Sequence, residues 1–210
     1  MGAFDEHAHD YDRWFDEHQR LYRAEVNALG RFIPPTGLGV EIGVGTGRFA
    51  VPFGIKLGIE PSRRIAEFAR DRGIAAYQAV GEALPFPDDR FDFALLVTVI
   101  CFVDHVPALL RETRRVLKPG GRLILGFIDR DSPLGKLYES RKEADQFYRE
   151  ARFYSVGQVA SFARQVGFDE IEFCQTIFGL PGATPGDIET QPVRAGYGEG
   201  AFVVLSAEKT

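Results

Sequence analysis

At 210 residues, the chain has the length of one domain carrying a cap and is long enough to bury a sizeable core. An apolar fraction of 45% with 26% charged residues fits a soluble globular protein, and a formal net charge of -5 offers little to a phosphate backbone, so nucleic acid is not the expected partner. Cys101 and Cys174 are too few for a disulfide framework, residues 1–12 are acidic and unlike a secretory signal, and the apolar run at 93–103 is too short for a membrane span of about 20 residues, so a cytoplasmic protein is expected.

Residues 1–32 are aromatic and charged, an N-terminal arm whose second half, 21–32, has Leu21, Ala24, Ala28 and Leu29 at helical spacing before Pro34-Pro35. An alternation of strands and helices then begins. Residues 38–42 read as a first strand, 43–47 as a glycine-rich turn, 48–53 as a short helix and 57–59 as a second strand. Ser62 is placed to cap a helix that runs to Arg72 and stops at Gly73. Residues 74–79 are a third strand. Residues 91–99, apolar at nearly every position, have the pattern of a parallel strand covered on both faces.

Asp104 is expected to cap a helix whose Val106, Leu109, Leu110, Thr113, Val116 and Leu117 form one apolar stripe. Lys118-Pro119-Gly120-Gly121 ends it, and 122–128 is the fifth strand. Residues 129–154 interrupt the pattern as an inserted cap, rich in charge and carrying Tyr138, Phe147, Tyr148, Phe153 and Tyr154. A helix over 155–166 closes at Gly167. Residues 171–177 and 201–207 are the last strands, separated by a Gly- and Pro-rich loop at 179–200. The expectation is a single α/β domain over 1–210: a doubly wound sheet of about seven strands, mostly parallel with the last antiparallel, and helices on both faces.

The run Val40-Glu41-Ile42-Gly43-Val44-Gly45-Thr46-Gly47 leaves a strand at the sheet's carboxyl edge, where open α/β sheets bind ligands. Glycines there let backbone approach a ligand with no Cβ in the way. Glu60, ending the second strand, is a carboxylate able to accept hydrogen bonds from both hydroxyls of a ribose. Read singly, the glycines leave open a tight turn with no ligand, and Glu60 is equally a solvated charge; read together, they favour a ligand.

These residues also carry a family resemblance. Glu41-x-Gly43-x-Gly45-x-Gly47, then Gly58-Ile59-Glu60-Pro61-Ser62, resembles the first two motifs of class I S-adenosylmethionine-dependent methyltransferases. The resemblance continues through Glu82-Ala83-Leu84-Pro85-Phe86-Pro87-Asp88, Phe91-Asp92, Leu110-Arg111-Glu112 and Arg115-Val116-Leu117-Lys118-Pro119-Gly120-Gly121. The opening, Phe4-Asp5 and Tyr11-Asp12-x-Trp14-Phe15, is similar to the ubiquinone/menaquinone-biosynthesis type of small-molecule methyltransferase.

The resemblance implies a Rossmann-like fold, S-adenosylmethionine as cofactor, S-adenosylhomocysteine as its product, and a small-molecule acceptor. By the same resemblance, Gly43, Val44 and Gly45 present backbone to the methionine and ribose portions, and Glu41 sits beneath that loop, fixing it or the cofactor amine. Glu60 takes the ribose hydroxyls. Pro61 and Ser62 border the adenine, and Gly81, Glu82 and Ala83 line its other side. Thr98 faces the methionine moiety, and Tyr11 closes over the cofactor. Two departures stand out. Many relatives carry an acid at the position of Val80, and the short connection from Gly47 to Leu57 truncates the first helix.

Competing chemistries fit less well. A nicotinamide fingerprint needs its third glycine at position 48, which is Arg48, and no Gly-Lys-Ser/Thr of a P-loop follows. His7, His9 and His18 among Asp5, Glu6, Asp10, Asp12, Asp16 and Glu17 specify no closed ligand set, so a solvated acidic segment with Trp14 and Phe15 packed inward is preferred and no metal is expected. His105 is either a general base or an exposed helix residue. Cys101 reads as a buried thiol, and two cysteines argue against arsenite as acceptor. A sulfonium methyl is already activated, so the protein needs mainly to align the acceptor and exclude water; no catalytic residue is assigned. Tyr11 and Trp14 are candidates to lie over the cation, and the acceptor pocket is expected from the arm, 129–154 and 179–200. A protein that binds S-adenosylmethionine without transferring methyl, as a sensor or structural partner, is the alternative.

Overall fold

The computed structural model describes residues 3–179 and 191–210. Positions 180–190 of the expected loop lie outside the described residues.

Helix α3 (Gln19–Gly30) is the helix expected over 21–32, and the part of the arm before it also holds helices, α1 (Ala3–Glu6) and α2 (Ala8–Glu17). Helix α2 was hidden in the sequence because its inward face is narrow. Ala8 and Phe15 are buried, while Arg13 pairs with Asp10 and Glu17 along the outer side.

The strands are β1 (Gly39–Ile42), β2 (Leu57–Ile59), β3 (Ala75–Tyr77), β4 (Phe91–Val97), β5 (Leu117–Ile128), β6 (Phe168–Phe178), β7 (Arg194–Ala195) and β8 (Gly200–Lys209). They form one sheet in the order β3-β2-β1-β4-β5-β8-β6-β7. Strands β1 to β5 run parallel, and β8 lies antiparallel between β5 and β6. Among the described residues the sheet therefore has eight strands rather than about seven. The extra one, β7, is a two-residue exposed edge that pairs Cys174 with Ala195 and rises from the segment expected as loop. Strand β5 starts five residues before its expected position, because Leu117 already pairs with Phe91 ahead of an irregularity in the ladder.

Helices α4 (Arg63–Asp71), α5 (Val106–Val116), α6 (Pro133–Arg141) and α7 (Val156–Gln165) complete the layers. Strand β4 shows why the sheet is covered on both faces. Phe93, Leu95 and Val97 enter one core with Leu29 of α3 and Ala66 of α4; Ala94 and Leu96 enter the other with Leu109 of α5 and Val159 of α7.

Two local expectations are corrected. Residues 48–53 hold only a 3-10 turn, Val51–Phe53, because Gly54 takes a left-handed conformation and stops it. The cap of α5 is His105, whose Nδ1 accepts from Ala108 N–H at 3.0 Å, in place of Asp104. Ser62 does cap α4, accepting from Ile65 N–H.

Arg115 on α5 fixes the segment after β3. Its guanidinium donates to the carbonyls of Leu84 and Phe86 and to Glu112 and Asp88, while Glu112 accepts from Leu84 N–H. These bonds hold the stretch that begins at Gly81.

Helix α7 carries a complete capping box between Ser155 and Gln158. Ser155→Ala removes one of its two bonds and is expected to lower unfolding free energy by about 1 kcal/mol, read by chemical denaturation. An unchanged midpoint would show that the cap contributes nothing.

Candidate functional site

Strands β1, β2 and β3 are laid down in one direction and β4 and β5 in the other, so the order reverses between β1 and β4. A cavity of about 220 Å³ opens at that reversal, at the carboxyl ends of the strands. Gly43 and Gly45 reach it from β1, Glu60 and Pro61 from β2, Gly81 and Glu82 from the loop after β3, Thr98 from β4, and Tyr11 from α2. Eight of the twelve residues singled out from sequence thus meet in one place.

The other four stand outside the lining. Val44 packs under the turn against Gly58. Ser62 donates its hydroxyl to Asp5 and caps α4. Ala83 closes a turn onto Val80. Glu41 lies beneath the glycine turn, 1% exposed, with its Oε2 unpartnered among the described residues.

The turn is shaped by positive φ at Gly43 (74°) and Gly45 (53°), a region L side chains rarely adopt. A Cβ at Gly43 would also stand 2.3 Å from Val99. Glu60, 8% exposed, locks the turn to the second strand: one carboxylate oxygen accepts from Gly45 N–H at 3.0 Å and the other from Ser62 N–H at 2.9 Å. Each oxygen keeps a further lone pair for a ligand. Burial pushes the Glu60 carboxyl up to about 7, against the lowering effect of those two bonds. Burial, and then the charge of Glu60, raises Glu41 well above the ordinary carboxylate range.

Thr98 sits at φ 52°, an uncommon conformation for a β-branched residue that costs about 1–3 kcal/mol. It is held there from both sides. Its N–H donates to Gly126 at 2.8 Å, and its carbonyl accepts from the Cys101 thiol at 3.2 Å. Burial pushes that thiol up to about 12, so Cys101 stays protonated.

Aromatic rings roof the cavity. A Cβ on Gly45 would lie 3.6 Å from the Tyr11 ring, which meets Phe4 at 5.4 Å and Phe147 at 5.7 Å. Phe4 meets Phe102 at 5.0 Å. The sequence reading missed Phe4, Phe102, Val103 and Asp104, all of which line the cavity. The apolar continuation of the fourth strand to Val103 was the available signal. Trp14, expected over the cofactor, lines no part of the cavity; it stacks on His18 at 4.5 Å. His105 is a helix cap and also stands outside the lining.

An ion cluster latches α2 to the glycine turn. Arg48, next after Gly47, binds Asp12 with two nitrogens and Asp16 at 2.8 Å. Arg72 joins it, donating to Asp12 at 2.8 Å and to the carbonyl of Thr46 within the turn.

Among proteins of known sequence, residues 40–125 match the family model described as "Methyltransferase domain". A Thermotoga maritima structure, described as an S-adenosylmethionine-dependent methyltransferase and possible histamine N-methyltransferase, is 48% identical and covers 99% of each chain with a TM-score of 0.94. An uncharacterized protein of Methanocaldococcus jannaschii is 47% identical over the full length of both chains. The ubiquinone/menaquinone biosynthesis C-methyltransferase of Pseudomonas putida is 40% identical over 37% of this chain and 31% of its own length.

The latch has a pH signature. Burial alone would raise Asp12, but the bonds from Arg48 and Arg72 overcome it and hold the carboxyl down at about 2. A depressed folded-state value stabilises the fold above the unfolded value near 4, and the contribution is lost as pH falls toward 2. Asp12→Asn is expected to lower unfolding free energy by about 1–2 kcal/mol at pH 7 and by less at pH 3. Denaturation curves at the two pH values check it. An equal loss at both would mean that the charge of Asp12 does not matter.

Proposed function

This chain belongs to the class I S-adenosylmethionine-dependent methyltransferases, and from that premise we propose that it binds S-adenosylmethionine in the cavity at the carboxyl ends of β1, β2 and β4 and methylates a small organic acceptor. The observation that carries the reading is the convergence of Glu60, with free lone pairs on both oxygens, and the backbone of Gly43 and Gly45 on one cavity. That arrangement suits a ribose diol beside a backbone cradle.

When bound, the cofactor supplies a methyl group already activated on a sulfonium. The protein's own task is to hold, orient and keep dry. Glu60 accepts the two ribose hydroxyls. Gly43 and Gly45 let backbone approach the ribose and methionine portions, with Glu41 beneath them. Pro61 borders the adenine on one side and Gly81 and Glu82 on the other, held in place through Arg115. Ser62 contributes through its N–H, which aims Glu60. Val44 and Ala83 support the turns on either side. Thr98, fixed in a strained conformation, faces the methionine portion and marks where the acceptor approaches.

Helices α1 and α2 act as a lid. Tyr11 lies over Gly45, so closing them shields the cation from water and presents an aromatic face to it. Residues 129–154 form the cap over the acceptor, bringing Phe147 and Tyr148 to the same roof.

Calorimetry is expected to show S-adenosylhomocysteine binding and no NAD binding. Because Glu60 binds the diol as a carboxylate, affinity should rise with pH through about 7 and level off above it. Glu60→Gln should weaken binding by about tenfold or more and flatten that slope. Tight NAD binding, or an unchanged affinity in the variant, would sink the assignment.

Trp14 is the single tryptophan, and it packs edge-on against Phe15, which meets Tyr11 at 5.4 Å. Its emission is expected to shift when S-adenosylhomocysteine binds. No shift at saturation, together with undiminished binding after removal of residues 1–15, would rule out a lid.

A further inference from the structure

The roof of the cavity is fastened to its wall at one residue. Helix α1 packs against α4. Phe4, on α1, lines the cavity and meets Phe102 at 5.0 Å. Asp5, the next residue, reaches the start of α4, where its Oδ1 accepts the Ser62 hydroxyl. Arg64 adds a bond to the Asp5 carbonyl at 3.2 Å. His7 then breaks the chain direction with non-helical φ -117° and ψ 31°, so α1 takes its place from these contacts and the aromatic roof rather than as a continuation of α2.

Ser62 has all its polar groups engaged at this junction. Its N–H donates to Glu60 Oε1 at 2.9 Å, its hydroxyl oxygen accepts from Ile65 N–H at 3.2 Å, its carbonyl accepts from Ala66 N–H, and its hydroxyl proton goes to Asp5. The residue is 8% exposed, so these partners must come from the protein.

Capping α4 needs only the bond to Ile65. The bond to Asp5 does something else. It brings a second carboxylate next to Glu60, and that charge opposes the ionisation of Glu60. An acid is therefore an awkward choice if the fold is all it serves. What the bond achieves is to fix Ser62, the residue whose N–H aims Glu60. A binding group holds its geometry only as well as the residues behind it hold theirs. Glu60 has Gly45 behind one oxygen and Ser62 behind the other, and Asp5 stands behind Ser62.

We propose, resting on the cofactor reading above, that Asp5 is a positioning residue for the ribose: by holding the Ser62 hydroxyl it fixes the serine that aims Glu60, so that the lid sharpens the diol site it covers. The closed position of α1 and the grip on the ribose are then coupled through one serine. A ligand lacking the diol gains nothing from Asp5 beyond the cover that α1 provides.

The test is a cycle between protein and ligand. S-adenosylhomocysteine and its 2′,3′-dideoxy analogue are titrated calorimetrically into the full chain at pH 8, where Glu60 is ionised. The wild-type protein should prefer the diol by about tenfold or more. Asp5→Ala should cut that preference about fivefold, and Asp5→Asn, which still accepts the hydroxyl, should keep most of it. In a Glu60→Gln background, Asp5→Ala should cut it no further. Should Asp5→Ala fail to fold, Asp5→Ser removes the same carboxylate and takes its place. If the wild-type preference is present but Asp5→Ala weakens both ligands alike, or neither, Asp5 merely holds the lid and the inference falls alone. If the wild-type protein binds neither ligand, or binds both equally, the assignment of Glu60 to the ribose falls, and this inference with it.

Discussion

The carboxylate of Glu60 fixes the geometry on which everything else at the site rests. Buried at the end of β2, it must find hydrogen bonds, and it finds them in the backbone of two neighbours, Gly45 and Ser62. That choice ties the glycine turn to the N-terminus of α4. Arg72, at the far end of α4, then returns to the same turn through the carbonyl of Thr46. A turn gripped at Gly45 and at Thr46 has little freedom left, and its positive φ angles become a shape the helix and strand jointly enforce. The short Gly47–Leu57 connection is tolerable for this reason. The turn draws its rigidity from across the sheet rather than from a long helix following it.

The charge around the cavity is unbalanced in one direction. Glu41, Glu60 and Glu25 are all buried, and burial raises all three. The two guanidiniums close to the turn, those of Arg48 and Arg72, are committed to Asp12, Asp16 and backbone. Among the described residues the interior therefore holds latent negative charge with no buried cation to answer it. Such an interior is costly when empty and favourable when it receives positive charge. A sulfonium cofactor is a ligand of that kind.

How legible this was in the sequence depended on how local each signal is. Strands β1 and β2 were readable because each is short with a glycine or an acid just after it, β4 because it is apolar at nearly every position, and Glu60 and Gly45 because spacing sets their place. The cap of α5 was misread as Asp104, since an imidazole Nδ1 does the same work one residue later. Helix α2 was missed because charged residues crowd its outer face and only Ala8 and Phe15 are buried. Strand β7 was invisible because two residues pair only by virtue of where β6 lies. Glu25 carried no signal. A glutamate in a helix is normally solvated, and its burial comes from how α3 packs on β5, β6 and β8, a long-range property that no spacing encodes.

Tyr11 joins the two halves of the site. Its ring lies over Gly45 on the cofactor side, and its edge meets Phe147 from the cap. Helix α2, which carries it, is bound one residue later, at Asp12, to Arg48 and Arg72 of the body. A displacement of α2 must therefore disturb the turn, the roof and the cap together. The glycine turn, the aromatic roof and the cap therefore meet at one ring, and the order of each depends on where α2 holds Tyr11.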